Sequence, residues 1–169
     1  MNERQVHIRP ETNADVLAIE EVTAAAFRNA EHTDHNEQFI VRDLRAANHL
    51  SISLVAEDEV THTIIGDAAV SPVTISDGSE DWYGLGPISV LPNYQGRGVG
   101  SLLMNRALED LQARHAAGCV VLGNPKYYTD LVSRQSARCT FQECRRNISW
   151  LSLGVTQLRG LYFTTKLLR

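Results

Sequence analysis

The feature that most constrains the fold of this chain is a series of alternating glycines between an apolar run and a helical pattern. The run from Leu85 to Leu91 contains glycine and β-branched residues and predicts a buried strand, which Pro92 and Asn93 end. The segment Gln95 to Gly100, QGRGVG, follows, and leucines at helical spacing come next. Glycines at such a junction let the backbone approach a ligand, and a helix N-terminus carries partial positive charge. The junction therefore predicts a binding site for an anion such as phosphate.

Other glycine-rich phosphate loops fit these residues less well. A dinucleotide-binding fingerprint needs G-x-G-x-x-G in the first βαβ unit, with an acid about 20 residues further on. Here the spacing is G-x-G-x-G and the loop lies past mid-chain. A Walker loop needs Lys and then Ser or Thr after its last glycine, but Gly100 is followed by Ser101 and Leu102. A tight turn without a ligand stays open as an alternative from the loop alone.

The loop resembles the Q/R-x-x-G-x-G/A motif of the GNAT N-acetyltransferases. An apolar strand and V-x-P precede it, as in that family, and the segments GLGPISVLPNYQGRGVGSLLM and GCVVLGNPKYY are most similar to the bacterial YhbS-like branch. The resemblance covers Arg4 to about Thr129. It implies an α/β protein with the GNAT fold. Such a fold is a single domain with a mixed, mostly antiparallel sheet, helices on both faces and a central pair of strands that splay apart.

By this resemblance, the chain transfers an acetyl group from its cosubstrate acetyl-CoA to a primary amine of a small molecule or a peptide. Residues of the loop would bind the cosubstrate pyrophosphate: Gln95, Gly96, Arg97, Gly98, Val99, Gly100 and, through its hydroxyl, Ser101. The resemblance also implies contacts with the pantetheine arm or the thioester carbonyl in the gap between the splayed strands. The residues that the resemblance implies for these contacts are Ile88, Ser89, Val90 and Asn124.

Amide formation needs a neutral attacking amine, a stabilised oxyanion and a proton for the departing thiolate. By similarity, Tyr128 takes the place of the family tyrosine that protonates the thiolate. A phenol with a pKa of about 10 suits this role, since it stays protonated at neutral pH. The alternative is a core aromatic residue with a satisfied hydroxyl. The general base stays open among Glu37, Glu80, Asp81, Ser89 and a chain of waters.

Composition agrees with a single domain and limits its partners. The chain has 169 residues and 43% hydrophobic content, which is enough for a substantial core. No apolar run approaches the about 18 residues of a membrane span and no secretory leader is present, so we expect a cytoplasmic protein without membrane contact. A net charge of −4 predicts no nucleic-acid partner. Three cysteines without C-x-x-C spacing predict reduced thiols and no metal site. The sequence leaves the oligomeric state open, and a homodimer is compatible with it.

The remaining patterns predict an order of elements typical of the family. Strands are predicted at residues 6–9, 51–56, 63–75, 82–91 and 119–122, with a turn at residues 57–59. A first helix starts after Thr12 or Asn13 and runs to Phe27, and a second carries Phe39, Ile40 and Leu44. The resemblance implies that these two helices cover the acceptor site.

Residues 130–169 depart from the family pattern. A Y-x-x-x-G-F motif would continue from Tyr128, but this tail has no Gly-Phe pair. It holds seven Lys/Arg against two Asp/Glu, a net charge of +5, whereas residues 1–129 carry −9. If one base is missing after the Thr129 codon, residues 129–134 can spell RFGFE and residues 139–154 can spell HVPGVPAEYFLALAWG. Both strings resemble the YhbS-like ending.

The sequence therefore predicts an acetyltransferase domain at residues 4–129 and a frameshifted tail at residues 130–169 that replaces the last strands. Because those strands would wall the acceptor pocket, a CoA-binding but catalytically impaired or regulatory module is the alternative function.

Overall fold

A mixed sheet runs through the part of the chain that the structure, a computed structural model, describes: residues 6–28, 37–74, 78–122 and 148–151. Its strands follow one another in sequence order: β1 (Val6–Pro10), β2 (Ile52–Asp58), β3 (Thr63–Pro72), β4 (Trp82–Val90), β5 (Gly118–Leu122) and β6 (Ile148–Leu151). The first four strands pair antiparallel, whereas β5 runs parallel to both β4 and β6. The described residues also form three α-helices: α1 (Val16–Phe27), α2 (Glu37–Ala46) and α3 (Val99–Ala113).

Helices cover both faces of this sheet, because successive side chains of its central strands point in opposite directions. On β2, Leu54 and Ala56 join a core that includes Leu103 and Met104 of α3. Val55, between them, packs on the other face with residues of α1, α2 and β3, namely Ile19, Val41 and Ala69. The predicted mixed, mostly antiparallel sheet with helices on both faces is confirmed.

Three predicted boundaries shift for local reasons. The turn expected at residues 57–59 begins later, because the Asp58 carboxylate accepts the amides of Val60 (2.9 Å) and Thr61 (3.2 Å) and closes the turn after β2. Strand β3 ends at Pro72 instead of Ile75, and one further backbone bond follows it, from the Val73 amide to Trp82 O at 2.9 Å. Helix α3 begins at Val99, ahead of its leucine pattern.

Helix α2 is tied to the sheet by one charged residue between β1 and α1. Arg45 donates two hydrogen bonds to the Glu11 carboxylate, at 2.9 and 2.7 Å. Ser53 of β2 donates a third, at 2.6 Å. Glu11, which follows the last residue of β1, therefore links β2 to α2.

The tail contributes one element to the described part of the chain. Strand β6 lies in register with β5, pairing Cys119 with Ile148 and Val120 with Ser149. The segment that the sequence separates from the family domain thus adds a parallel strand to the sheet. The frameshift itself stays a prediction.

Candidate active site

The sheet opens on one side of β4. Pairing with β5 runs from Trp82 opposite Gly118 to Leu85 opposite Val121. Pairing with β3 continues to Val90, opposite Gly66. Within the described residues, the end of β4 from Gly86 to Val90 therefore has a paired strand on its β3 edge alone. This divergence of β4 and β5 matches the splayed pair that the sequence predicts.

The free edge leads directly into the glycine-rich loop. Gly96 (φ +73) and Gly98 (φ +86) have left-handed backbone conformations, which glycine adopts without the strain that other residues meet. The helical ladder starts with the amide of Leu102 donating to Gly98 O at 3.0 Å. The amides of Val99 to Ser101 thus have no acceptor within the helix. They face the exposed loop at the positive end of the 15-residue helix α3, as an anion site requires.

A buried carboxylate fixes the loop to the rest of the sheet. The Tyr94 hydroxyl donates to Asp58 Oδ2 at 3.1 Å, and Asp58 is only 1% exposed. The guanidinium carbon of Arg97 stands 5.7 Å from the centre of the Tyr94 ring, within cation–π range. The turn after β2 thereby sets the position of the loop and of its cationic side chain. Sequence reasoning missed this link, because Asp58 lies in an acidic run that was interpreted as a turn alone.

Backbone groups of the central strand are in part engaged. Gln95 Nε2 donates to Val90 O at 2.9 Å, and the Leu91 amide donates to Ile65 O at 2.9 Å. Val90 is one of the residues predicted to contact pantetheine. Its carbonyl oxygen accepts a hydrogen bond from Gln95, which is itself predicted to contact the pyrophosphate. A ligand that binds along this edge would displace the side-chain amide of Gln95 from the Val90 carbonyl oxygen. Asn124 and Tyr128 lie outside the described residues, so their predicted roles stay predictions.

The structure separates the predicted general bases. Glu80 and Asp81 precede β4, and at about 3.3 Å per residue Asp81 lies about 23 Å from Ile88 along the strand. That distance places both carboxylates at the wrong end of the gap. Glu37 begins α2, and its Oε2 is buried without a hydrogen-bond partner among the described residues. Ser89 lies on the open part of β4, with its side chain fully buried.

A buried polar cluster that the sequence interpretation missed lies beside Ser89. Asp67 is directly opposite it on β3 and is 1% exposed, and Thr23 reaches both from α1. Burial raises the pKa of Asp67 to about 7, with a further increase from Glu11. Hydrogen bonds from the Ser89 and Thr23 hydroxyls and the positive charge of Arg45 oppose this increase in the pKa. The available signal was an ionisable residue inside the otherwise apolar run IIGDAAV.

The comparisons with known proteins agree with this geometry. Residues 16–128 match the model of the Acetyltransferase (GNAT) family, and the chain belongs to that family. An uncharacterised N-acetyltransferase, YhbS of Escherichia coli K12, is 30% identical over 136 residues, 78% of each chain.

Solved structures give the same result. A GNAT acetyltransferase from Brucella melitensis in complex with acetyl-CoA is 44% identical, with a TM-score of 0.71 over 76% of this chain and 82% of that one. Escherichia coli YhbS in complex with CoA is 30% identical, with a TM-score of 0.66 over 78% of this chain and 69% of that one. The predicted family and fold are thereby confirmed.

The described residues form neither a membrane-spanning helix nor a cluster of metal ligands. No helix there is both long and apolar enough to cross a membrane. Across the same ranges, no three His, Cys, Asp or Glu side chains are grouped so that they could hold a metal ion.

Proposed function

We propose that this protein is an N-acetyltransferase that moves the acetyl group of acetyl-CoA to a primary amine of a small molecule or a peptide. One observation carries the proposal: among the described residues, β4 from Gly86 to Val90 has no partner on its β5 side and leads into a glycine-rich loop at the N-terminus of α3. A long ligand fits these two neighbouring sites if its pyrophosphate binds at the loop and its extended, amide-containing arm lies along β4. The complexes of the similar Brucella and Escherichia coli proteins with acetyl-CoA and CoA support the assignment.

The cosubstrate would be held by two kinds of contact. Its pyrophosphate would accept hydrogen bonds from the amides of Val99, Gly100 and Ser101, with Arg97 adding a positive charge. Its pantetheine amides would pair with the free edge of β4 near Ile88 and Ser89, as an added strand pairs with a sheet edge. The thioester would then lie in the gap between β4 and β5, beside the face covered by α1 and α2.

The chemistry then needs two proton transfers. The amine attacks the thioester carbonyl carbon, a C–N bond forms, and the C–S bond breaks. As the C–N bond forms, the nitrogen loses one proton to a water molecule or a basic side chain. Tyr128 would give its phenolic proton to the departing CoA thiolate and would regain a proton from solvent. Asn124 would contact the pantetheine arm. Both roles rest on the resemblance of the segment GCVVLGNPKYY to the family.

The test is turnover with a pool of primary amines. Purified protein is incubated with acetyl-CoA and the pool, free CoA thiol is followed, and amide products are identified by mass spectrometry. The proposal predicts release of thiol that depends on the amine and is matched by amide. Acetyl-CoA binding without amide from any amine would favour the alternative, a CoA-binding module whose catalysis is impaired or regulatory.

The altered tail is the reason to keep that alternative. We propose that residues 4–129 form the acetyltransferase domain and that residues 130–169 are read in a shifted frame. The match to the family model, which ends at residue 128, supports this division. Sequencing the coding DNA across the Thr129 codon tests it directly. An uninterrupted frame that encodes the same tail in the source genome would refute the frameshift.

A further inference from the structure

Helix α2 crosses the sheet in a direction that brings its first turn over β4. Its last turn lies over β2, where Arg45 and Ser53 bond to the same carboxylate. One turn earlier, Val41 packs in a cluster with Ala69 of β3. Each turn advances about 5.4 Å along a helix, and neighbouring strands are about 4.8 Å apart. The next turn, which holds Glu37, therefore falls over β4, and α2 does approach that strand.

The part of β4 beneath this turn is the point at which β4 and β5 separate. Ala69 lies on β3 between the residues that pair with Ile88 and Leu85, so Gly86 and Pro87 are opposite it. Leu85 is the last residue of β4 that pairs with β5. Gly86 and Pro87 are partly exposed, whereas Leu85 before them is fully buried. The first turn of α2 therefore lies over the opening in which the proposed function places the thioester.

The carboxylate of Glu37 belongs to the face of α2 that is turned toward the sheet. Glu37 comes one helical turn before Val41 and therefore shares its face, and Val41 is 1% exposed. The Oε2 atom of Glu37 is buried and has no hydrogen-bond partner among the described residues. An acceptor atom without a partner thus lies on the side of the helix that covers the opening.

This buried oxygen is poorly explained by the stability of the fold. An acidic residue in the first turn of a helix is stabilised by the helix dipole, but an exposed carboxylate would be stabilised in the same way. A buried acceptor without a partner is unfavourable, most of all when it is charged. The arginines of α2 bond to other carboxylates, Arg42 to Asp43 at 3.2 Å and Arg45 to Glu11 at 2.7 Å. A cationic group of a ligand would supply the missing partner of Glu37.

We propose that Glu37 binds a positively charged group of the acceptor, and that the preferred acceptors are therefore amines with a second positive charge, such as diamines. The inference rests on the proposed function, since it needs the thioester in the gap between β4 and β5. The amine that attacks the thioester has to be neutral. A carboxylate paired with that same nitrogen would favour its charged form and oppose the attack. The group that Glu37 binds is therefore the second ammonium group, which stays charged throughout the reaction.

The test compares three primary amines with four carbons that differ in the charge at the far end. Putrescine carries a second ammonium group, butylamine is uncharged there, and γ-aminobutyrate carries a carboxylate. We expect kcat/KM to fall in that order, by about 10- to 100-fold from putrescine to butylamine, as for a hydrogen bond between charged groups. Glu37→Gln keeps the size of the side chain and removes its charge. It should bring the three values to within about threefold of one another, with an unchanged KM for acetyl-CoA.

Asp43→Asn is the matched control for this variant. Asp43 lies on the same helix, but its side chain is 70% exposed. Its replacement removes the same charge away from the opening and should preserve the order of the three amines. Equal values for putrescine and butylamine in the wild type, or an order that Glu37→Gln leaves unchanged, would overturn the proposal. An equal loss of the order in Asp43→Asn would also overturn it, because the preference would then come from net charge.

A binding measurement separates failure of this proposal from failure of the proposed function. No transfer takes place when CoA is bound instead of acetyl-CoA, so binding of putrescine is measured alone. Putrescine should shift the NMR amide signals of Glu37 and Gly86 in CoA-bound wild type, and Glu37→Gln should raise its Kd by about 10-fold or more. Binding that depends on Glu37 without any acetylation would support this proposal and count against the transfer activity. Absence of saturable binding, or equal binding by Glu37→Gln, would overturn this proposal.

Discussion

Replacing Gly98 by alanine should weaken CoA binding without disturbing the fold. Gly98 has a φ of +86, and a Cβ placed there meets no heavy atom within 4 Å. The cost of the substitution is therefore conformational and not steric: about 1–2 kcal/mol for an L-residue in the left-handed region. Because the loop is exposed, the variant can relax to a negative φ when CoA is absent. The cost then falls on binding, where it corresponds to a Kd about 5- to 30-fold higher.

Gly78 provides a matched control for this prediction. It has a φ of +83, and a Cβ there also meets nothing within 4 Å, but it lies in the connection between β3 and β4. Gly78→Ala should therefore leave the Kd for CoA unchanged. Gly98→Asn should lose less affinity than Gly98→Ala, since asparagine tolerates the left-handed region better. Isothermal titration with CoA measures all four proteins. A Gly98→Ala affinity within about twofold of wild type, or an equal loss in Gly78→Ala, would refute this reasoning.

Three further predictions concern single side chains. Asp67→Asn should be more stable than wild type at pH 8, by up to about 4 kcal/mol in urea unfolding, and nearly equal at pH 4. The pKa of Asp67 is raised to about 7 in the folded state, so the stability of the wild type falls as pH rises from about 4 to 7. A stability difference between the two proteins that is equal at pH 4 and pH 8 would contradict this. Tyr94→Phe removes the bond to the Asp58 carboxylate and should lower the free energy of unfolding by about 1.5–3 kcal/mol; an unchanged urea midpoint would argue against that anchor. Tyr128→Phe should retain CoA binding and lower turnover by about 100-fold, and wild-type turnover would exclude it as the proton donor.

Much of the fold follows from local patterns that the structure reproduces. The strand before Pro92, the glycines and the leucines after them determine a strand–loop–helix unit whose parts need no distant partner to be recognised. The same holds for β2 and β3, whose apolar residues fill both faces of a sheet covered on both sides. Gly96 and Gly98 belong to the motif that indicated an anion site, and both have a positive φ in the structure.

The features that were missed depend on contacts between distant segments. Thr23 and Asp67 are 44 residues apart, and their hydrogen bond exists because α1 crosses β3 at that point. Asp58 and Tyr94 are 36 residues apart, so an acidic run gave no reason to link the turn after β2 to the glycine-rich loop. Glu80 and Asp81 were candidates for the general base because they flank the central strand in sequence. They flank the end of that strand away from the loop.

The most direct test of the central claim is an NMR titration of ¹⁵N-labelled protein with acetyl-CoA. If the cosubstrate lies along the open edge of β4 with its pyrophosphate at the N-terminus of α3, the amide signals of Ile88, Ser89, Val99, Gly100 and Ser101 should shift together and saturate. The amide of Gly78, which lies in the connection between β3 and β4 at the end of β4 opposite the loop, should stay in place. Shifts that spare Val99 to Ser101, or that cluster at another surface, would contradict the account.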